Sequence, residues 1–189
     1  MSAKKIITKQ AILDAAFEIV RKDGMSALNM RSLALKCKCS TQPIYLSFAN
    51  AEELKSEVTI KALDYFNDFI KSVINSGKYL EYKSVGMGYI HFAQEEPNLF
   101  RFLLMNEGKK NSELTDKTLD NSVQIIMRNY AINREQAYRL HIEMWLFVHG
   151  AATMCLNGYL GDDMQAISDM LTDVFNGLIT NIKGGNNDN

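Results

Sequence analysis

The chain has 189 residues, of which 47% are hydrophobic, and a formal net charge of -1. This length fits one helical domain with a small domain attached, and the hydrophobic share is large enough to form a buried core. No run approaches the roughly 18 consecutive apolar residues that a membrane-spanning helix needs. The first residues also lack the long apolar stretch of a signal peptide. We therefore expect a cytoplasmic protein with no membrane partner.

The three cysteines and the histidines predict neither a disulfide framework nor a metal site. An odd cysteine count without a signal peptide argues against structural disulfides. The Cys37–Cys39 pair offers too few ligands for zinc, and we interpret both as small apolar residues in a turn. His141 and His149 are eight residues apart, too far along a helix for one simple metal site. We expect no metal and no cofactor.

The charge is unevenly distributed along the chain. Residues 1–50 carry eight Lys and Arg against three acidic residues, a balance of +5, and the remainder carries a balance of -6. A basic head on an acidic body suggests that the head has a polyanion as partner. Ordinary scatter of surface charge is the alternative interpretation.

The first predicted helix runs from about Thr8 to Asp23. Its apolar residues recur at intervals of three and four, which marks one buried face. These residues are Ile12, Ala15, Ala16, Ile19 and Val20. Gly24 follows and is suited to end the helix.

Two short helices are predicted next. The second helix begins after Asn29, a good N-cap residue, and runs to about Cys37. After a four-residue break, Ser40 can cap a third helix over Thr41–Ser47. Pro43 is tolerated in its first turn because an N–H there has no partner within the helix.

Six further helices are predicted, and three of them begin with a capping box. The boxes are Asn50 with Glu53, Asn133 with Gln136, and Asp162 with Gln165. The helices are predicted at about 51–75, 80–95, 97–105, 112–130, 134–157 and from 162 to about 182. The chain is therefore predicted to be all-α with about nine helices, followed by a disordered tail at 184–189.

The second and third helices have the features of a helix-turn-helix, in which one short helix enters the major groove of DNA. Ala34 is small enough to let the two helices pack closely. Apolar residues that could fix their crossing are Leu33, Cys37, Cys39 and Ile44. The start of the third helix is polar, with Ser40, Thr41 and Gln42.

The segment from Ile12 to Leu54 resembles the DNA-binding domain of TetR family regulators. That pattern has an Ile…Ala-Ala start, a glycine after the first helix, a capped second helix, a serine at the turn and a closing Tyr-x-x-Phe. The matching residues are Ile12, Ala15, Ala16, Gly24, Asn29, Leu33, Ala34, Ser40, Ile44, Tyr45, Phe48, Glu52, Glu53 and Leu54. The resemblance implies a three-helix DNA-binding domain followed by a helical ligand-binding and dimerisation domain.

The candidate DNA-contacting residues follow from their positions in this module. They are Asn29, Arg31, Lys38, Ser40, Thr41, Gln42, Pro43, Tyr45 and Lys55. Gln42 can pair with adenine N6 and N7, and Pro43 can touch a thymine methyl group. The resemblance implies that the Tyr45 hydroxyl contacts a phosphate. At Lys38 the family usually has glycine, so a positive φ there would strain the lysine.

The stretch with Trp145, His149 and Gly150 resembles a TetR C-terminal subfamily marked by Trp-x-x-x-His-Gly. The resemblance implies a pocket for a small-molecule effector between the middle helices, for which methionines and aromatic residues provide adaptable walls. The candidate lining residues are His91, Phe102, Met105, Met127, Trp145 and His149. Plain core packing is the alternative role for each of them.

The last two helices are candidates for a dimer interface. Gly150, Ala151 and Ala152 would allow another helix to approach closely, and the last helix carries an apolar stripe broader than one buried face needs. Both features predict a homodimer through these helices. A dimer would in turn present two recognition helices to a palindromic operator. Burial of the stripe within one chain is the alternative.

Taken together, residues 1–50 are predicted to form a helix-turn-helix DNA-binding domain, and 51–183 a helical ligand-binding and dimerisation domain. The predicted function is ligand-responsive, sequence-specific regulation of transcription, with a small molecule that releases a repressor from DNA. The alternative is a small-molecule-binding adapter whose helix-turn-helix no longer reads DNA. We do not expect an enzyme, because the chain shows no nucleophile–base pair, phosphate loop or H-E-x-x-H motif.

Overall fold

The computed structural model describes residues 7–105, 112–161 and 163–184, and only the backbone of residues 112–118. Within these ranges the chain forms nine α-helices and no strand, as predicted. The helices are α1 (Lys9–Asp23), α2 (Met30–Cys37), α3 (Gln42–Ser47), α4 (Ala51–Asn75), α5 (Glu81–Glu95), α6 (Pro97–Leu104), α7 (Ser112–Tyr130), α8 (Arg134–Leu156) and α9 (Met164–Gly184).

The helices form two compact units. The first unit comprises Met1–Asn67 and Glu96–Asn106, and the second comprises Asp68–Glu95 and Glu107–Asn189. The helix α4 therefore contributes residues to both units, since it passes from one to the other after Asn67. No helix of the described residues is long and apolar enough to cross a membrane.

The first unit is built around α1, which packs against α2, α3 and α6. Of the predicted face of α1, Ala15 is half-buried and the other four residues are buried. A one-turn 3-10 helix, Met25–Ala27, follows α1 and was not predicted. It is reached through Gly24, whose φ of 85° is one that residues with a Cβ rarely adopt.

The second unit is built around α5 and α8, which pack against each other and against α7 and α9. Two glycines of α5 make this packing close. A Cβ atom at Gly86 would lie 3.0 Å from the Leu171 Cδ1 atom, and one at Gly88 would lie 3.0 Å from the Ile70 Cδ1 atom. A larger residue at either position would therefore require the Leu171 or Ile70 side chain to shift.

The predicted caps of α2 and α8 are confirmed. The Asn29 side chain accepts hydrogen bonds from the N–H groups of Arg31 and Ser32. The Asn133 side chain accepts from the Gln136 N–H at 2.9 Å, and the Gln136 side chain accepts from the Asn133 N–H at 3.1 Å. These reciprocal bonds satisfy donors that a helix start leaves unpaired.

Two other predicted caps of the later helices need correction. Asn50 accepts from the Glu53 N–H at 2.9 Å, but the Glu53 carboxylate accepts from the Ala49 N–H and not from Asn50. At α9 the cap is Asp163, whose carboxylate accepts from the N–H groups of Gln165 and Ala166. The predicted cap residue 162 lies outside the described residues. The predicted tail at 184–189 is wrong at Gly184, which is the last residue of α9, and its other residues lie outside the described ranges.

The predicted Ser40 cap of α3 is wrong. The helix begins at Gln42 and its N-cap is Thr41, which has helical dihedral angles and caps no backbone donor with its side chain. Pro43 in the first turn has no N–H, so one of the donors that a cap would normally bind is missing.

Candidate DNA-binding and ligand-binding sites

The helix-turn-helix consists of α2, a four-residue turn and α3. Its inner face is apolar, with Leu33, Ala34, Ile44 and Phe48 buried. Of the residues that the sequence pattern assigned to the packing of the two helices, Leu33, Ala34 and Ile44 are therefore buried, and Cys37 and Cys39 are half-buried. These buried residues hold α3 in place, and the outer face of α3 stays in solvent.

The turn after α2 depends on Lys38, which takes the left-handed conformation with φ 52° and ψ 42°. Its N–H donates to the Leu35 carbonyl, and the Cys39 N–H donates to the Ala34 carbonyl at 3.0 Å. These bonds satisfy carbonyls at the helix end. Lys38 therefore has the positive φ that was expected to strain a lysine at this position.

We predict that Lys38→Gly raises the free energy of unfolding by about 1 kcal/mol, since glycine adopts the left-handed region without the Cβ penalty. Urea denaturation would measure the change. Lys36→Gly is the matched control, because it removes the same charge from a helical position in the last turn of α2 and should instead cost up to about 1 kcal/mol. Equal destabilisation by both substitutions would contradict a strained Lys38.

The outer face of α3 is open to solvent. Gln42 is exposed, and Tyr45 and Leu46 retain 58% and 81% of their side-chain exposure. Ser40 before the helix is exposed as well, while Thr41 and Pro43 are half-buried. The predicted base-contacting residues are thus grouped at one short helix.

Several basic side chains around this module form no ion pair with another described residue. They are Arg31, Lys36, Lys38 and Lys55. By contrast, Lys9 pairs with Glu53 and Glu57, and Lys61 pairs with Asp14, whose pKa this hydrogen bond lowers. Cations on α2, on the turn and at Lys55 are therefore left available to an external anion.

The first unit contains a buried carboxylate that the sequence did not predict. Glu96 precedes α6, its side chain is 8% exposed, and both oxygens accept hydrogen bonds from Arg21 of α1. The Tyr65 hydroxyl donates to the same carboxylate at 2.7 Å. The pKa of Arg21 is raised, chiefly by its hydrogen bond to Glu96. Asn98 adds two bonds to carbonyls at the end of α1.

The second unit contains a small cavity of about 50 Å³ between α5, α8 and α9. Aromatic and aliphatic side chains form its walls, and none of the lining residues is Lys, Arg, Asp or Glu. The lining residues are Tyr82, Val85, Gly86, Tyr89, His141, Met144, Trp145, Val148 and Leu171. Because an unpaired charge is costly to bury, this cavity suits an uncharged, largely apolar molecule.

Two tyrosine–histidine pairs join α5 to α8 beside the cavity. The Tyr82 hydroxyl lies 3.0 Å from His141 Nδ1, and the Tyr89 hydroxyl lies 2.8 Å from His149 Nδ1. Burial lowers the pKa of His141 to about 4 and also lowers that of His149, and it raises the pKa of both phenols. Neutral imidazoles at ordinary pH can accept the phenol protons at Nδ1.

Of the six predicted ligand-lining residues, Trp145 lines the cavity. His149 stacks on Trp145 with 5.4 Å between ring centroids, but it is not among the lining residues. His91 and Met127 are half-buried elsewhere in the second unit. Phe102, which is buried, and Met105, which is exposed, belong to the first unit. No three His, Cys, Asp or Glu side chains of the described residues are grouped to hold a metal.

The residues of α5 that line this cavity were not predicted from the sequence. Tyr82 and Tyr89 meet their histidine partners across about 60 residues of chain. The sequence shows only that His141 and His149 lie eight residues apart on one helix, and spacing alone does not show what packs against them.

Comparisons with known proteins agree with this architecture. A family model described as the tetracyclin repressor-like C-terminal domain matches residues 82–175. An HTH-type transcriptional regulator of Mycobacterium tuberculosis is 23% identical over 172 residues, which is 87% of this chain and 78% of that protein. The HTH-type transcriptional regulator YobS of Bacillus subtilis is 20% identical over 97% of this chain and 98% of its own.

A third relative is the HTH-type nicotine-responsive transcriptional repressor of Paenarthrobacter nicotinovorans, 24% identical over 41% of this chain and 40% of that protein. Among solved structures, a TetR family protein of Vibrio parahaemolyticus matches with a TM-score of 0.63 and 18% identity over 89% of this chain and 97% of its own. The chain belongs to the TetR family of helix-turn-helix transcriptional regulators.

Proposed function

We propose that the chain is a ligand-responsive repressor that binds a specific palindromic operator as a homodimer and leaves it when a small molecule binds. The observation that carries the proposal is the solvent-exposed face of α3, with Gln42, Tyr45 and Leu46, next to cations that have no ion-pair partner among the described residues. Double-stranded DNA would use both features, because its base edges are contacted in a groove and its phosphates attract basic side chains.

The proposed roles on DNA divide into base and backbone contacts. Gln42 would pair with adenine, and Pro43 would touch a thymine methyl group. Tyr45 would donate its hydroxyl to a phosphate. Arg31 and Lys38 would supply phosphate charge.

The remaining predicted DNA contacts surround the same helix. Lys55 would reach a phosphate from the first turns of α4, and exposed Ser40 and half-buried Thr41 lie just before α3. Asn29 caps α2 through its side-chain oxygen, and its amide nitrogen donates to the Ala27 carbonyl at 3.4 Å, so we propose that Asn29 acts by fixing the start of α2.

The proposed homodimer uses the outer faces of α8 and α9. Gly150 and Gly177 lie inside these helices, and a Cβ atom at either would have nothing within 4 Å. A glycine there destabilises a helix by roughly 0.5–1 kcal/mol relative to alanine, with no packing advantage inside the chain. Leu146 and Met154 of α8 and Met170 of α9 are exposed nearby in sequence. Close approach of a second copy would account for both features.

The proposed effector site is the cavity of the second unit. Ligand pockets are commonly about 300–1,000 Å³, so a cavity of about 50 Å³ would have to widen around an effector. An effector that binds a widened state more tightly than the closed one shifts the protein toward it. The chain connects this unit to the DNA-binding unit at three points, within α4 after Asn67, at residues 95–96 and at residues 106–107.

Selection from a randomised duplex library at moderate salt tests the proposal. We expect an enriched palindrome from the unchanged protein. Gln42→Ala should relax the preference at one position per half-site by roughly 1–3 kcal/mol, and Tyr45→Phe should weaken binding to all sequences alike.

Ile60→Ala is the control for the two variants, because this exposed residue of α4 has no proposed role in binding. It should select the same palindrome as the unchanged protein. Absence of any enriched sequence, with only weak salt-sensitive binding, would contradict the proposal and favour the small-molecule-binding adapter.

A further inference from the structure

Leu46 is a large apolar side chain on the face of α3 that also carries Gln42. The two are four residues apart and therefore lie one turn apart on one side of the helix. Leu46 is 81% exposed, so it contributes little to the core of the first unit. A leucine has no donor or acceptor, and any contact it makes outside the chain is apolar.

The surroundings of Leu46 favour DNA over an apolar protein partner. Tyr45 beside it is exposed with a free phenol edge, and the nearby turn carries Lys38 without an ion pair to another described residue. Lys36 is exposed and likewise unpaired. An apolar side chain within a basic surface complements a partner that has negative charge outside and apolar groups between, which is the major groove.

The apolar feature that the major groove offers is the 5-methyl group of thymine. Along a helix axis, four residues span about 6 Å, and base pairs are spaced by about 3.4 Å. We propose that Leu46 is a specificity-determining residue, which contacts a thymine methyl about two base pairs from the adenine that Gln42 reads. The inference rests on the proposed function and adds a base position to it.

The test uses the palindrome obtained by selection. Each thymine is replaced in turn by deoxyuridine, which removes the methyl group and leaves the hydrogen-bonding edge unchanged. Burying one such carbon contributes about 0.8 kcal/mol, so in each half-site the thymine that Leu46 contacts should show an affinity loss of about fourfold, at a position separate from the thymine proposed for Pro43. Replacement in both half-sites should give about sixteenfold, because the two sites are separate.

The variants Leu46→Ala and Leu35→Ala connect the effect to this side chain. At the thymine assigned to Leu46, the Leu46→Ala variant should bind the thymine and deoxyuridine duplexes equally well, and it should keep the discrimination at the thymine assigned to Pro43. Leu35 is a matched control, because it is a leucine with the same 81% exposure on α2, and its alanine variant should keep the fourfold discrimination.

Two results would overturn the inference. If no deoxyuridine position besides the one assigned to Pro43 weakens binding, or if Leu46→Ala discriminates at every position as the unchanged protein does, Leu46 reads no methyl group while the proposed function stands. If selection yields no operator at all, the proposed function and this inference fail together.

Discussion

Glu96→Ala is expected to lower the free energy of unfolding by about 2 kcal/mol. The substitution removes a buried carboxylate that accepts hydrogen bonds from Arg21 and Tyr65. Loss of one partner of a fully buried ion pair costs about 3–5 kcal/mol, because the other charge stays buried. Here the Arg21 side chain is 39% exposed and can recover water, which reduces the cost. Urea denaturation measures the difference.

Glu18→Ala provides a matched control for that substitution. Glu18 lies 3.9 Å from the same Arg21 but is half-exposed, and exposed pairs contribute about 0–1 kcal/mol. Its loss should change stability by no more than about 0.5 kcal/mol. Equal effects of the two variants would show that the burial of Glu96 adds nothing to the free energy of unfolding. The Glu96–Arg21 ion pair would then not stabilise the packing of α6 on α1.

Gly150→Leu is expected to raise the stability of the monomer and to weaken its association into a dimer. Within one chain the new side chain meets open space, and leucine favours the helix, so the monomer should gain about 0.5–1 kcal/mol. In a dimer through α8 and α9 it would overpack the interface by roughly 1–3 kcal/mol. Two-fold symmetry applies that cost twice, so association should weaken by roughly 2–6 kcal/mol.

Sedimentation over a dilution series would measure this association. Ser56→Leu is the control, since it places a leucine at an exposed position of α4, away from the proposed interface, and should leave the dimer constant unchanged. A dimer constant that is the same for Gly150→Leu and the unchanged protein would place the interface elsewhere.

Local signals in the sequence were sufficient to predict the helices. Asn29 and Asn133 cap helices as expected, because an N-cap depends on a few adjacent residues. The N-caps of α3 and α9 lie one residue later than predicted, at Thr41 and Asp163, and only Asp163 caps with its side chain, because the local backbone decides whether a side-chain oxygen reaches a free N–H group. The 3-10 turn after Gly24 has no pattern of its own, since it is too short to have a periodicity.

Features that depend on distant parts of the chain could not be predicted. In the sequence, Glu96 precedes a proline and marks only the boundary between two helices. Its partners Arg21 and Tyr65 are 75 and 31 residues away along the chain. In the same way, Tyr82 and Tyr89 gain their role only where α5 packs against α8. Helical periodicity identifies a buried face without identifying its neighbours.

The measurement that tests the central claim most directly is the affinity of the effector-free protein for the selected palindrome and for a scrambled duplex of the same composition, at one fixed salt concentration. We expect the protein to bind the palindrome at least about 1,000-fold more tightly than the scrambled duplex, with two chains per duplex. Equal affinity for both duplexes, falling steeply with salt, would mean that the exposed face of α3 with Gln42 and Tyr45 does not read sequence, and would contradict the account.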